Sequence, residues 1–365
     1  MKTKTILLGL NELNFDYIKF YINQGVLPNF KKIFEIQPPI ETVSEREYQL
    51  LEPWVQWVTI HTGKTFDQHK VFRLGDIVNY PELSQIFEEI ETEGLSVGAV
   101  SPFNAENRLD NPLYFVPDPW TKTKPTGNWI VKALYQAVHQ SVNDNAKSKF
   151  NIISLISLGL GMLWYVPLRR WYHYLGAILK GKKPGAKAII LDSFLADIHL
   201  ALWKKHKPDF SNLFLNSGAH TQHHYLFNSK AYQGDLKNPE WYCPKDYDPL
   251  IQILTEYDYQ IGNMLKLKDA KLIIATGLHQ RPHHHLTYYW RLKNHAKFAE
   301  IIGIEDFADI SPRMSRDFLV EFKNEVDCIT AENLLNSFFA SIDDQKIFAV
   351  DNRGTTLFVE LIYPN

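Results

Sequence analysis

Leu50 to His69 reads LLEPWVQWVTIHTGKTFDQH, and its spacing defines a helix. Pro53 suits a first turn, where its fixed φ is already helical and its missing N–H would have no partner. Trp54, Trp57, Val58 and Ile60 supply an apolar face. Gly63, between Thr62 and Lys64, closes the run because glycine accepts the left-handed backbone that ends helices. The result is a helix of about three turns.

Around this stretch, apolar runs of strand length alternate with helical patterns. Thr5–Leu10, Leu95–Val100, Phe210–Leu215 and Ala270–Thr276 are strand candidates, apolar enough to be covered on both faces. Between them lie helical segments at 14–34, broken near Gly25 and restarted by Pro28, and at 80–93, 188–204 and 247–267. This rhythm calls for a parallel sheet with helices on both faces. Residues 347–364 alternate around Asp351-Asn-Arg-Gly354 and read as a closing β-hairpin. With 365 residues, 45% hydrophobic and 13% aromatic, the chain can bury a large core. The expected organisation is one α/β domain over 1–365 with a helical cap inserted at 123–188.

A net charge of −2 provides no basic field, so no nucleic-acid partner is expected. Cys243 and Cys328 are too few for a disulfide framework and lack metal-ligand spacing, which suits a reducing compartment. The apolar run that follows MKTKT is too short for a signal peptide, so the expected location is cytoplasmic, with attachment to the inner face of the membrane as the alternative.

The membrane enters through the insertion. After a polar break, NDNAKSK, residues 150–166 read FNIISLISLGLGMLWYV, seventeen positions without a charge. Lys147, Lys149, Arg169, Arg170, Lys180, Lys182 and Lys183, with Trp164, Trp171 and Tyr172, flank or end that run. The segment 150–183 reads as a buried helical pair, as a membrane-surface contact, or, at the lower limit of length, as a span.

Ligands of open α/β sheets bind beyond the carboxyl ends of the strands. Asn11, Glu12, Glu52, His220, His223, His224 and His279 all follow expected strands and should converge there. Each also has a plainer reading: Asn11 as a turn residue, Glu52 as an acid favoured at a helix start, His279 as a supporting imidazole. Asn104, Arg108 and Asp118 in the long loop 102–120 have the chemistry to contact a polar substrate. Arg313 and Arg316 put two guanidinium groups near a turn, where they suit a phosphate, sulfate or carboxylate.

The 50–69 stretch resembles the alkaline phosphatase superfamily, in particular its type I phosphodiesterase and nucleotide pyrophosphatase branch. There a nucleophilic Thr heads a helix of the form T-W-P-x-W-x-S-I-x-T-G, followed by a His-Gly turn. Trp54, Trp57, Thr59, Ile60, Thr62, Gly63 and His69 match without gaps, and Pro53 stands at the nucleophile. Gly9-Leu10-Asn11-Glu12 and Leu27-Pro28-Asn29-Phe30 are similar to the family's G-L-D-G and L-P-N-L, with Asn11 at a metal-ligating aspartate. Gly218–His223 and Thr276–Gln280 place His223 and His279 on ligand positions, whereas Ala219 and Leu278 replace aspartates. The later histidine of the family is one of His283, His284, His285 or His295.

The resemblance implies an alkaline phosphatase-like, doubly wound, mostly parallel fold and a metal-assisted hydrolase or transferase. The substrate would be a small-molecule or glycan- or lipid-linked ester bearing phosphate or sulfate. With three carboxylates and the nucleophile replaced, one divalent ion (Zn, Mn or Mg) is expected rather than two, held by His223, His279, His220 and His283. Glu12 and Glu52, each one residue from a replaced group, and His279 are the expected catalytic groups; Asn11, Asn104, Arg108, Arg313 and Arg316 are the expected substrate contacts. The competing expectations are a catalytically inactive protein that binds a sugar or phosphorylated ligand and a membrane-surface accessory protein.

Overall fold

The computed structural model describes residues 3–143, 152–179, 183–286, 291–313 and 316–363. The polar break at 144–149, with Lys147 and Lys149, lies outside the described residues, as do Lys180 and Lys182. β1 (Lys4–Leu10), β2 (Val97–Val100), β3 (Tyr114–Val116), β4 (Phe210–Leu215) and β5 (Ala270–Ala275) form a parallel sheet in the order β3-β2-β4-β1-β5. β1 runs between β4 and β5, with Leu10 opposite Leu215 and Gly9 opposite Ala275.

The helices in chain order are α1 (Phe15–Asn23), α2 (Pro28–Ile36), α3 (Pro53–Thr62), α4 (Phe66–His69), α5 (Ile86–Thr92), α6 (Trp129–Asn143), α7 (Ile152–Tyr165) and α8 (Trp171–Leu179). They continue with α9 (Ala186–His206), α10 (Ser217–Tyr225), α11 (Pro249–Met264), α12 (His295–Ile301) and α13 (Glu325–Asn336). The expected elements around residue 50 hold: Pro53 opens α3, and Gly63 caps it with φ +65°.

Both faces of the sheet are covered, because a strand's side chains alternate. Ile6, Leu8 and Leu10 join Leu213 and Leu215 in a core shared with α1, α2, α9 and α11. Leu7 and Phe210 point the other way, toward Phe87 of α5 and Ile60 of α3. Each fully buried side chain of this size stabilises by about 1.5–3 kcal/mol. Gly9 leaves room for Trp57: a Cβ there would meet the indole at 2.6 Å.

The helix expected at 80–93 shortens to α5, preceded by a 3-10 turn at Asp76–Asn79. Gln85 opens α5 with a reciprocal capping box to Glu88, and Arg108 braces the chain ahead of it. Its guanidinium donates to the carbonyls of Ile77 (2.9 Å), Tyr80 (3.1 Å) and Leu83 (2.8 Å). The Ile77 and Tyr80 carbonyls also accept from the Tyr80 and Leu83 N–H groups, each at 3.1 Å, so the chain turns in 3-10 steps there. The loop at 102–120 also contains an unexpected short strand, β3.

The insertion is anchored by charge as well as by packing. Arg170, in the 3-10 turn between α7 and α8, donates to Asp197 of α9 at 3.1 Å and makes a two-pronged pair with Glu256 of α11. All three side chains are at least 94% buried, and Tyr174 adds a hydrogen bond to Asp197 at 2.6 Å.

By contacts, the chain divides into two compact units, Met1–Gln136 with Leu155–Leu286, and Ala137–Ser154 with Thr287–Asn365. The second contains an antiparallel sheet, β6 (Phe307–Pro312), β7 (Asp317–Phe322), β8 (Phe348–Asn352) and β9 (Thr356–Leu361), in the order β6-β7-β9-β8. Cys328, Ala331 and Leu335 of α13 pack on Phe318, Val320, Leu357 and Val359. The expected C-terminal hairpin is β8–β9, now one half of a larger sheet. Among the described residues, no helix is long and apolar enough to cross a membrane.

Candidate active site at the strand ends

Three strand ends meet beyond β1, β4 and β5. β1 ends in Asn11 and Glu12, and Glu12 adopts φ +55°, a left-handed backbone unusual for a residue with a Cβ. Its main chain is held on three sides. The Glu12 N–H donates to the Thr276 carbonyl at 2.9 Å, and its carbonyl accepts from the Gln222 side chain at 2.8 Å and the Gln280 N–H at 3.3 Å. Strain of this kind, of order 1–3 kcal/mol, persists only where the surroundings over-determine the conformation.

The turn aims the Glu12 carboxylate at His223. Glu12 Oε2 lies 3.1 Å from His223 Nε2, the carboxylate side chain nearly buried and the imidazole 43% exposed. Gln280 Nε2 donates to the same Oε2 at 2.6 Å, and Asn11 Nδ2 donates to Oε1 at 3.1 Å. Burial alone would raise the Glu12 pKa, but the hydrogen bond and charge of His223, with the bonds from Gln280 and Asn11, hold it below the ordinary glutamate value. Glu12 is therefore a carboxylate fixed in its ionised form.

Asn11 ties this pair to its neighbours. Its Nδ2 also donates to Asn216 Oδ1 at 2.8 Å, while its Oδ1 accepts the Trp57 indole N–H at 2.7 Å. Gly277, with φ +70°, keeps its backbone close to that indole. His223 is placed by α10, which Asp192 of α9 caps by accepting from the Ser217 N–H at 2.8 Å. Burial pushes the Asp192 carboxyl up to about 6, against the hydrogen bonds from Tyr257 and Ser217.

His220 and His224, also on α10, are neutral. The rings of His220 and His224 lie with centres 4.5 Å apart and planes tilted by 47°, and His224 Nδ1 lies 2.8 Å from the Tyr242 hydroxyl. Burial, then the charge of His223, lowers His220 to about 4; burial, then His220 and His223, lowers His224 to about 3. His283 is exposed, and its pKa is depressed by burial and by repulsion from His285, His223 and His284. This repulsion puts it within electrostatic reach of His223.

The remaining expected groups have the following surroundings. Glu52 is the N-cap residue of α3, and its side chain makes no capping hydrogen bond. His279 is exposed, and it is the next residue, Gln280, that reaches Glu12. Asn104 is buried and joins Trp54, Arg73 and Gly75 through its carboxamide. Asp118 is fully buried, accepting from the Asn104, Trp120 and Thr121 N–H groups. Arg108 clamps the 77–83 backbone and pairs with Glu106 at 2.5 Å. Arg313 and Arg316 belong to the second unit, where Arg313 accepts on its carbonyl from Arg291 and Arg316 donates to Glu360 at 3.0 Å. His295, also of that unit, packs on Phe318.

Gln222, Gln280 and Asn216 were not singled out from the sequence. The only signal for them is adjacency: Gln222 precedes His223, and Gln280 follows His279. The donor set does not suit a two-ion centre, since carboxamide or apolar groups occupy positions 11, 219 and 278. Among the described residues, no three His, Cys, Asp or Glu side chains are grouped to hold a metal ion. The open cleft lined by Glu45, Glu47, Gln49, Phe66 and Asp67 contains none of the strand-end residues. No family model matches the chain, and no curated protein matches it.

Proposed function

We propose that this chain is a divergent member of the alkaline phosphatase superfamily and a hydrolase or transferase acting on an ester that bears phosphate or sulfate, with a small-molecule, glycan-linked or lipid-linked leaving group. The observation that carries this reading is the Glu12–His223 pair, 3.1 Å apart beyond the carboxyl ends of a parallel sheet. The pair has the composition of an acid–base couple. The His223 Nε2–H donates to the ionised Glu12, which leaves Nδ1 as the base. The attacking water or hydroxyl gives its proton to Nδ1, its oxygen bonds to phosphorus or sulfur, and the ester bond breaks. The leaving oxygen then takes a proton back from the imidazolium. Pro53 has no hydroxyl, so the attacking oxygen comes from the solvent or an acceptor substrate. Glu52 and His279 are the further candidates for contact with the substrate.

Purified protein is offered p-nitrophenyl phosphate, bis(p-nitrophenyl) phosphate and p-nitrophenyl sulfate, each with chelator and with added Zn²⁺, Mn²⁺ or Mg²⁺. Turnover that falls at least about 100-fold in Glu12→Gln and in His223→Gln is the expected result. Parallel assays of Glu52→Gln and His279→Gln decide whether those two take part. Absence of turnover on all three esters removes the enzymatic reading.

One observation favours a second reading, a binding protein without turnover. Asn11 engages Glu12, Asn216 and Trp57 through hydrogen bonds where the resembled enzymes carry an ionised ligand. Ligand-induced thermal stabilisation by sugar phosphates or sulfates, with no product formed, would favour this reading.

A further inference from the structure

α7 is turned inside out relative to a helix facing water. Two of its small positions point into the protein: Ser157 is 6% exposed, and a Cβ on Gly161 would meet Leu134 at 2.4 Å. Leu158, Met162 and Tyr165 pack on the core, but its other large apolar positions point outward: Ile156 is 56% exposed, and Leu163 and Trp164 are each 65% exposed. The pattern continues beyond the turn, where Leu168 is 80%, Tyr172 76% and Leu175 56% exposed, while Arg170 and Tyr174 are buried. Small residues inward and aliphatic ones outward is the distribution found on helices whose surroundings are hydrocarbon. An apolar face of this extent on a water-facing surface marks a contact.

The charges nearby identify the partner. Residues 152–179 and 183–191 contain no aspartate or glutamate. Arg169, Lys183 and Lys187 are exposed cations, whereas Arg170 is spent on Asp197 and Glu256. Trp164 and Tyr172 are the aromatic types that settle at the headgroup level. At 14 residues, α7 is about 21 Å long, short of the roughly 30 Å hydrocarbon core, so its geometry suits lying in the interface.

We propose that the outward face of α7 and α8 docks in the plane of an anionic lipid bilayer surface, with the exposed lysines and arginine against the headgroups. This stands apart from the reading of the strand-end site. The full-length protein is sedimented with phosphatidylcholine vesicles and with vesicles containing about one third phosphatidylglycerol. Binding to the anionic vesicles at least about tenfold tighter than to the neutral ones, weakened by salt, is expected. The double variant Trp164→Glu, Leu168→Glu should lose this binding by about tenfold or more, while Trp241→Glu, a control at a position 68% exposed, should keep it. A second readout leaves most of the face intact: Leu168→Cys carries a polarity-sensitive dye, the native Cys243 and Cys328 being buried. A blue shift of that dye on adding anionic vesicles supports the proposal. Absence of vesicle binding, binding indifferent to the double variant, or a dye that does not respond overturns it. So does a concentration-dependent dimer that the double variant disperses in the absence of lipid binding, which would assign the face to a second copy of the chain.

Discussion

Trp57 donates its indole N–H to Asn11 Oδ1 at 2.7 Å, both residues buried, so the helix opened by Pro53 is bonded to the turn that follows β1. The same indole packs edge-on against Phe214 of β4, ring centres 4.9 Å apart. Trp57→Phe removes the donor and part of the ring, leaving a cavity and an acceptor with one partner fewer. The expected loss is about 2–4 kcal/mol of unfolding free energy, read from urea titration. A cycle with Asn11→Ala should give a coupling of about 1 kcal/mol between the two positions.

Gly9→Ala tests the close packing of β1 on that indole. The added Cβ would lie 2.6 Å from the Trp57 ring and 3.0 Å from Phe214. Since both rings are enclosed, the cost should be about 1–3 kcal/mol, seen as a lowered denaturation midpoint with an unchanged slope.

Glu12→Gln separates charge from shape. In the unfolded chain, Glu12 titrates near 4.5, and in the fold His223, Gln280 and Asn11 hold it lower against the effect of burial. A carboxyl lowered by folding stabilises fully above its unfolded pKa and loses that contribution as pH falls through the folded one. The wild type should therefore melt higher than Glu12→Gln at neutral pH, and the gap should narrow below pH 4.5. A gap that stays constant across this range would mean that Glu12 is not held as an ionised partner of His223.

Arg170→Met leaves Asp197 and Glu256 buried without their cation. Stranding buried charges costs about 3–5 kcal/mol, and calorimetry at neutral pH should show a loss of that order. Replacing all three by apolar side chains of matching volume should recover most of the stability.

His61 offers the opposite case. It is 2% exposed, lies 5.2 Å from the Phe87 ring, and among the described residues neither ring nitrogen has a partner. Burial lowers its pKa from 6.5 to about 3. Such a histidine carries no protonation penalty above pH 6.5 and destabilises the fold progressively as pH falls toward 3. His61→Phe should gain about 1 kcal/mol at neutral pH, and its advantage over the wild type should widen below pH 6.5.

The central strands and α3 were legible because their signals are local: unbroken apolar runs, a proline at a helix start and a glycine at its end. The expected helix at 80–93 was not, because its start is set by the Gln85–Glu88 capping box and the preceding carbonyls are braced by Arg108, some twenty-five residues later. At the strand ends, Asn11, Glu12 and His223 could be placed from their positions after apolar runs. Gln280 could not be distinguished from His279 beside it. Which of two neighbours turns inward depends on the backbone turn at Gly277, and that turn shows only in the coordinates. β6 and β7 escaped notice for a related reason: their partners are β9 and each other, and pairing is not encoded within a strand.

The placement of β1 bears on how the molecule is made. It leaves the ribosome before the other strands of its sheet, yet both of its neighbours, β4 and β5, come from residues 210–215 and 270–275. Until residues 210–215 have been made the run Thr5–Leu10 has no edge to join, and an apolar segment in that position is exposed to aggregation. The bond from Gln280 to Glu12 spans 268 positions, so it closes only once the nascent chain has delivered β5. Catalysis or ligand capture at that corner would thus report a completed sheet, and no partly synthesised chain ending before residue 270 could display it.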